Sequence, residues 1–365
     1  MQVKYKKEPE YDIVIVGAGP AGATLARLLS PVYRILILDK KPIEKEISMQ
    51  EMKCCGGLLS ESAQKVMAEM GLNLPTDILI APQTFALKVM DLGYPVERSY
   101  QKHYFNMDRA KFESWLIGQI PDHVEKRERR YVKEFHRCQD GVELIVKNRQ
   151  TGQEERITTH MAVAADGANS IFRKKLYPRM AWPGYVALQE WYENDGGIDY
   201  YAAITDESIT DFYSWLIPKG NALILGSALN LDDENLSPSE RFRMLKSKLE
   251  ERGLIFGKKI LREGCEIIRP INNHLTTGNR KIALIGEAGG FISPSSAEGF
   301  SYAFRTARAL AEAINEKGID QFATSYARNC QNIKLNVLAR NIKAIGMYQP
   351  LSRRLALKTG FGAVR

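Results

Sequence analysis

The chain has 365 residues, of which 44% are hydrophobic and 26% charged, as in ordinary globular proteins. This length allows two lobes, while the polar N-terminus and the absence of any run of about 18 apolar residues predict neither a signal peptide nor a membrane-spanning helix. Five irregularly spaced cysteines match no disulfide or zinc framework, and the histidines show no metal-ligand spacing, so we expect a cytoplasmic protein without a bound metal.

The first forty residues carry the most informative pattern. An apolar strand over 13–16 runs into a turn with three spaced glycines, a helix of small residues follows, and a second strand over 35–38 ends on Asp39. This is the dinucleotide-binding fingerprint in its full context, with a pyrophosphate expected at the positive helix N-terminus and Asp39 on an adenosine ribose hydroxyl. The alternative is a purely structural glycine turn. The residues predicted to bind the nucleotide here are Gly17, Gly19, Pro20, Ala21, Gly22, Asp39 and Lys40.

Later segments alternate between β-rich patterns and returns to the nucleotide-binding pattern. Alternating and aromatic residues predict strands between 75 and 105 and a small β-meander over 124–165, which ends in Ala165-Asp166-Gly167. A second β-rich block covers about 176–270. A last apolar strand over 282–285 leads into Gly286-Glu287 and a long helix that begins at Gly299.

This interleaved order predicts a flavin enzyme, because a nicotinamide dehydrogenase more often keeps its nucleotide-binding unit contiguous. We predict an α/β fold with a three-layer Rossmann-like FAD-binding domain, an inserted antiparallel β-sheet substrate domain and a helical C-terminal tail. The predicted boundaries are 1–74, 105–175 and 275–330 for the FAD-binding domain, 75–104 and 176–274 for the substrate domain, and 331–365 for the tail.

Several motifs occur in the order that one known family shows, and they cover nearly the whole chain. They are Gly17-x-Gly-x-x-Gly22, Asp108-Arg-x-x-Phe-x-x-x-Leu116, Ala165-Asp-Gly167, Lys53-Cys-Cys-Gly-Gly-Leu58, Tyr213-Ser-Trp-Leu-Ile-Pro218 and Ile285-Gly-Glu-Ala-Gly-Gly-Phe-Ile-Ser-Pro294. Together they resemble the geranylgeranyl reductase family within the class A hydroxylase superfamily, and bacterial CbrA-type flavoproteins most of all. Two positions depart from the family pattern, which has Asp at 287 and Phe at 217. Flavin halogenases carry a related Trp-x-Trp-x-Ile-Pro run.

The resemblance implies FAD as the cofactor and adds candidate residues around it. Arg109 would pair with the pyrophosphate, and the helix that begins at Gly299 would direct its positive end at the isoalloxazine. A lone surface arginine, an ordinary Asp-Gly turn at 166–167 and a glycine-rich turn without ligand are the structural alternatives. The cofactor residues implied in this way are Gly56, Gly57, Arg109, Asp166, Gly286, Glu287, Gly299 and Phe300.

Cys55 is the candidate catalytic residue, because reduction of an alkene needs a proton on one carbon as well as a hydride on the other. A thiol with an ordinary pKa of about 8.5 stays mostly protonated at neutral pH and can donate that proton. The alternative is a small buried residue; Cys54 would be its filler neighbour, and Cys138, Cys265 and Cys330 bystanders. Tyr213, Trp215 and Pro218 lie on one strand and would wall a pocket for an apolar chain, or form simple core.

The activity predicted from the resemblance is reduction of isoprenoid C=C bonds in a polyprenyl or lipid-linked substrate, with an unknown external electron donor. The alternatives are a flavin monooxygenase or halogenase that acts on a hydrophobic small molecule, and a flavoprotein that binds lipid without turnover.

The net charge of +8 is concentrated at the C-terminal end. Residues 331–365 contain seven Lys or Arg and no acid, among many apolar residues. This composition predicts peripheral attachment to the anionic inner face of a membrane, or a helix packed on the body with its basic face in water. Nucleic acid is not expected as a partner, because no recognised reader motif accompanies the charge.

Overall fold

The computed structural model describes residues 8–43, 53–180, 183–232 and 235–364. Its strands are β1 (Tyr11–Val16), β2 (Ile35–Leu38), β3 (Leu58–Leu59), β4 (Thr84–Asp91), β5 (Tyr94–Asn106), β6 (Val124–Arg127), β7 (Arg130–Arg137), β8 (Val142–Asn148), β9 (Glu154–Ala164), β10 (Gly184–Glu193), β11 (Tyr201–Asp206), β12 (Thr210–Lys219), β13 (Ala222–Asn230), β14 (Lys259–Ile268) and β15 (Ile282–Leu284). Its helices are α1 (Pro20–Leu28), α2 (Glu61–Glu69), α3 (Arg109–Gly118), α4 (Ile171–Leu176), α5 (Pro238–Glu251), α6 (Phe300–Lys317), α7 (Phe322–Asn329), α8 (Gln331–Tyr348) and α9 (Pro350–Thr359).

A parallel sheet forms the centre of the nucleotide-binding part, in the order β6-β2-β1-β9-β15. Ile13 of β1 lies opposite Ile35 of β2 and Met161 of β9, so the apolar runs that bound the glycine turn are neighbours. Residues 13–16 of β1, 35–38 of β2, 161–164 of β9 and 282–284 of β15 are apolar because both faces of the sheet are covered there, whereas the edge strand β6 is mostly polar. The residues on one face, Ile13 among them, pack on α1, α3 and α6.

The other face is covered by an antiparallel meander. The N-terminal half of the long strand β9 pairs with β8, and β8 pairs with β7, whereas the C-terminal half of β9 belongs to the parallel sheet. Val14 and Leu36 pack there against Val132 and Leu144 of the meander. Helices, parallel sheet and meander make the three layers that the sequence predicts.

The second sheet has eight strands in the order β14-β10-β13-β12-β11-β4-β5-β3. Its pairs are antiparallel except β4 with β11, the pair that joins the strands preceding β6–β9 to those following them. One face, with Leu216 and Leu225, packs on α5. The opposite face, with Trp215 and Ile217, is turned toward the loop that carries Cys54.

The C-terminal segment is helical and packs on the body. Ile333 and Val337 of α8 are buried in the core beside α6 and α7. α9 is held by Arg353, whose Nε donates to Asp91 Oδ2 at 2.9 Å, and the Asp91 carboxylate is fully buried. Arg365, the last tail cation, lies outside the described residues. Within the described part of the chain, no helix combines the length and apolarity needed to cross a membrane.

Candidate functional site

A cavity of about 1120 Å³ runs from the glycine turn after β1 to the inner face of the second sheet. It begins at the carboxyl ends of parallel strands, where α/β sheets usually bind ligands. Three of the predicted site residues, Gly22, Gly286 and Pro218, do not line it. Those that do are Gly17, Gly19, Pro20, Ala21, Asp39, Lys40, Cys55, Gly56, Gly57, Arg109, Asp166, Tyr213, Trp215, Glu287, Gly299 and Phe300.

The glycines of the turn after β1 have different roles: Gly22 allows close packing, and Gly19 leaves room for a ligand. A Cβ on Gly22 would lie 1.8 Å from the Gly17 carbonyl oxygen, so Gly22 is required for the contact between α1 and the turn. A Cβ on Gly19 would have no described atom within 4 Å, since this position faces the cavity. α1 begins with Pro20 and no described side chain caps it, so the N–H groups of its first turn are directed at the cavity.

Asp39 closes this end of the cavity. Its Oδ2 accepts from the Ala18 N–H at 2.6 Å and its Oδ1 from the Lys41 N–H at 2.8 Å. Burial raises the pKa of Asp39 despite these hydrogen bonds. Each oxygen keeps a lone pair with which it can accept from a ligand hydroxyl.

Arg109 lies deeper in the cavity and is already paired. Its Nε donates to Glu113 Oε1 at 2.8 Å, its guanidinium lies 4.8 Å from the centre of the Phe300 ring, and it is hydrogen-bonded to the Cys55 thiol. Burial opposes its charge, but Glu113 and Cys55 outweigh that effect and raise the pKa of Arg109. The sequence indicated Arg109 but not its carboxylate partner.

Asp166 provides an acceptor that nothing in the described protein uses. Its Oδ2 accepts from the Ile171 N–H at 3.1 Å, whereas its Oδ1 is buried without a hydrogen-bond partner among the described residues. Burial raises its pKa to about 6, against the hydrogen bonds that favour the charged form. A buried carboxylate oxygen of this kind is costly unless a ligand donates to it.

Glu287 is held from two sides. Its carboxylate forms an ion pair with the Lys53 ammonium, and its Oε1 accepts from the Ile268 N–H at 3.2 Å. Gly286 lies behind it, where its N–H donates to Thr306 Oγ1 at 2.8 Å. Glu287 therefore links the glycine-rich turn, the loop at residues 53–57 and β14.

The N-terminus of α6 carries an acid that the sequence reasoning missed. Glu298 accepts from the Ser301 N–H at 2.7 Å and from its hydroxyl at 2.6 Å. Gly299 and Phe300 line the cavity, so this helix end faces it, but a carboxylate already binds part of its first turn.

The loop that carries Cys55 is fixed by a buried lysine. Lys219 Nζ donates to the carbonyls of Gly57 at 3.0 Å and Met107 at 2.8 Å, while Gln189 Nε2 donates to the Cys55 carbonyl at 3.3 Å. Burial lowers the pKa of Lys219 to about 7. In the sequence, Lys219 directly follows the apolar run Trp215-Leu-Ile-Pro218, and this position could have indicated a buried lysine.

Aromatic side chains wall the far end of the cavity. Tyr213 and Trp215 have ring centres 5.6 Å apart, and the Tyr213 hydroxyl donates to the Ser296 carbonyl at 2.7 Å. Pro218 lies on the opposite face of β12, because successive residues of a strand alternate between its faces, and Ile217 lines the cavity instead.

The cavity is bordered by α8, which contributes Arg340, Lys343 and Met347 to its lining. Burial and neighbouring cations lower the pKa of Lys343. The sequence assigned α8 to a tail and gave no indication that it borders the site. Among the described residues, no group of three or more His, Cys, Asp or Glu side chains could hold a metal ion.

Comparison with known proteins agrees with this geometry. Residues 10–192 match the FAD-binding domain family. Protein CbrA of Escherichia coli O6:H1 is 35% identical over 351 residues, which are 96% of this chain and 93% of that protein.

Solved structures share the fold. A geranylgeranyl bacteriochlorophyll reductase-like protein from Thermoplasma acidophilum superposes with a TM-score of 0.76 at 18% identity, over 94% of this chain and 87% of that one. A variant of the halogenase PltM in complex with FAD gives a TM-score of 0.68 at 16% identity, over 93% and 76%.

The cavity residues fit FAD, which is the cofactor of this fold family. The uncapped first turn of α1 suits a pyrophosphate, and Gly19 leaves it room to approach. Asp39 and the unpartnered Oδ1 of Asp166 are acceptors for hydroxyl groups. Phosphates need donors and sugar hydroxyls need acceptors, and this wall of the cavity offers both.

Proposed function

Since the chain belongs to the FAD-binding domain family and to the family of the bacterial CbrA proteins, we propose that this FAD-dependent oxidoreductase reduces isoprenoid C=C bonds. The substrate in this proposal is a polyprenyl or lipid-linked molecule. The likeness of fold to a geranylgeranyl bacteriochlorophyll reductase-like protein supports it.

The cavity continues beyond the residues assigned to the cofactor, and this continuity is the main support for the proposal. From Cys55 it extends between Trp215, Tyr213 and Tyr201 to Met347 of α8. Concave apolar and aromatic walls with few polar groups suit a hydrocarbon chain. The Tyr348 hydroxyl is bound to the Ser295 carbonyl at 2.6 Å, so that ring presents mainly its apolar surface.

In this proposal Cys55 supplies the proton of the reaction. Bound FAD, once reduced, supplies the hydride. Arg109 is hydrogen-bonded to the Cys55 side chain and lies beside it in the cavity wall. Lys219 holds the Gly57 carbonyl next to this loop and acts as a positioning residue.

We further propose that α8 and α9 bring the enzyme to an anionic membrane surface. Leu335, Leu338, Ile342 and Ile345 follow one another at helical spacing and are exposed on α8, as are Leu351 and Leu355 on α9. Arg353 and Arg354 are not available to lipid headgroups, because both pair with Asp91 and Glu207. Lys334, Arg340, Lys343 and Lys358 remain as the cations of this surface. An apolar chain could then enter the cavity at Met347 without crossing water.

Vesicle co-sedimentation tests the membrane proposal. Binding to anionic vesicles should exceed binding to neutral ones and fall with salt, because exposed charges are screened within about 8 Å at physiological ionic strength. Ile345→Asn should weaken it, whereas Val32→Asn, which removes an equally exposed apolar side chain on the nucleotide-binding part, should not. Equal, salt-independent recovery with both kinds of vesicle would contradict the proposal.

An anaerobic incubation with total lipid extract tests the proposed activity. Protein reduced with dithionite should convert a prenyl lipid into a product with two added hydrogens for each bond reduced, read by mass spectrometry. Oxygen consumption that depends on substrate, with an oxygenated or halogenated product, would indicate a monooxygenase or halogenase instead. Bound lipid that never reoxidises the flavin would indicate a lipid-binding flavoprotein.

A further inference from the structure

Cysteines from distant parts of the chain meet in the cavity wall. Cys54 precedes Cys55 in its loop, and Cys265 lies on β14, in register with Ala187 of β10. Cys265 Sγ lies 3.5 Å from the Cys54 carbonyl oxygen, and Cys54 Sγ lies 3.6 Å from the Ala187 carbonyl oxygen. The thiols of Cys54 and Cys265 are hydrogen-bonded to each other.

The two thiols have unlike electrostatic surroundings. The hydrogen bond from Cys54 and the nearby Lys53 ammonium, with a smaller effect of Arg109, lower the pKa of Cys265 against its burial and the charge of Glu287. The same hydrogen bond and burial raise the pKa of Cys54. Cys265 is thus the more acidic thiol of the pair, and the more acidic thiol is the better leaving group in thiol–disulfide exchange.

The pair borders the residues assigned to the cofactor. Lys53 and Glu287 form an ion pair beside it, and the adjacent Cys55 is hydrogen-bonded to Arg109. All of these side chains line the same cavity. Cys138 is exposed and Cys330 is buried in the helical core, so neither belongs to this group.

We propose that Cys54 and Cys265 form a redox-active pair that carries two electrons from a soluble dithiol to the bound FAD. The proposal rests on the proposed function, because it names the chemical class of the electron donor for that reaction.

The chemistry balances in two steps. A donor thiolate attacks the Cys54–Cys265 disulfide with Cys265 as the leaving thiolate, and the second donor thiol completes the exchange, which gives two protein thiols and an oxidised donor. The Cys54 and Cys265 thiols would then give up two electrons and two protons to bound FAD as the S–S bond between them re-forms.

Disulfide formation is measured first, on the FAD-loaded protein. Aliquots are equilibrated anaerobically with graded ratios of reduced and oxidised dithiothreitol, alkylated, and digested for peptide mass analysis. A Cys54–Cys265 cross-linked peptide should appear in one two-electron transition, persist in Cys138→Ser and be lost in Cys265→Ser. Oxidation of single cysteines without this cross-link would overturn the proposal.

Electron transfer is measured second, by bleaching of the flavin absorbance without oxygen. Reduced dithiothreitol should bleach the wild-type protein at least ten times faster than Cys54→Ser or Cys265→Ser, whereas dithionite should bleach all three equally. Equal rates with the dithiol would overturn the proposal. Wild-type protein reduced with dithionite needs no thiol pair, so its failure to reduce a prenyl lipid would count against the proposed function alone.

Discussion

Replacing Asp166 by asparagine tests how the cavity is built. In the folded protein the pKa of Asp166 rises from 3.8 to about 6, chiefly because the carboxyl group is buried. One pKa unit corresponds to roughly 1.4 kcal/mol, so the ionised side chain destabilises the cofactor-free fold by about 3 kcal/mol at pH 8. Asp166→Asn removes this charge and keeps the shape of the side chain.

The pH dependence has a defined sign. Because its pKa is raised on folding, the native state binds more protons than the unfolded state between pH 4 and 6. The wild-type protein should therefore lose stability relative to Asp166→Asn as pH rises through this window. The difference should be near zero at pH 4 and approach about 3 kcal/mol above pH 7.

Urea unfolding of FAD-free protein at a series of pH values measures this difference. Asp122→Asn is the matched control, because Asp122 is exposed, and it should follow the wild type throughout. If the free energies of unfolding of Asp166→Asn and wild type differed by a constant amount from pH 4 to pH 8, burial would not perturb the pKa of this carboxyl group, and the prediction would be wrong.

Other substitutions test the contacts around the cavity. Gly19→Val should abolish FAD binding, measured by flavin fluorescence, with little change in Tm, whereas Gly22→Ala should lower Tm because its Cβ meets the Gly17 carbonyl at 1.8 Å. Burial lowers the pKa of Lys219 to about 7, so between pH 7 and pH 10 the native state binds fewer protons than the unfolded state. The free energy of unfolding of the wild-type protein should therefore rise over this pH range. Lys219→Met should remove that rise. Arg353→Gln should cost about 1–3 kcal/mol in urea unfolding because it removes one of the two arginines paired with the buried Asp91, while Lys358→Gln on the same helix should cost less than 1 kcal/mol.

The sequence predicted the structure best where residues close together in the chain form both the local conformation and the candidate site. The glycine turn, the acid after β2 and the strand before Gly286 are short-range patterns, and each lies where strand–turn–helix context predicted. The three layers could be predicted because strands buried on both faces have continuous apolar runs, whereas strands with one exposed face alternate apolar and polar residues. The domain boundaries and the roles of the individual site residues stay predictions.

Contacts between distant segments were not accessible in the same way. Lys53 with Glu287, Cys54 with Cys265 and Arg353 with Asp91 join residues that only the folded chain brings together. Periodicity shows that a side chain faces inward, but it does not identify the partner it meets there. The tail shows this most clearly, since its composition allowed both packing and membrane attachment, and α8 combines a buried face with an exposed apolar one.

We propose for this protein that reduced FAD in the cavity transfers its electrons to an isoprenoid double bond, with Cys55 as the proton donor. A single turnover without oxygen tests it most directly, with photoreduced protein and one equivalent of a prenyl lipid. We expect flavin reoxidation in step with a product that has gained two hydrogens, at a rate at least a hundredfold lower in Cys55→Ala. Flavin that stays reduced in the wild-type protein while the lipid is bound and unchanged would contradict it.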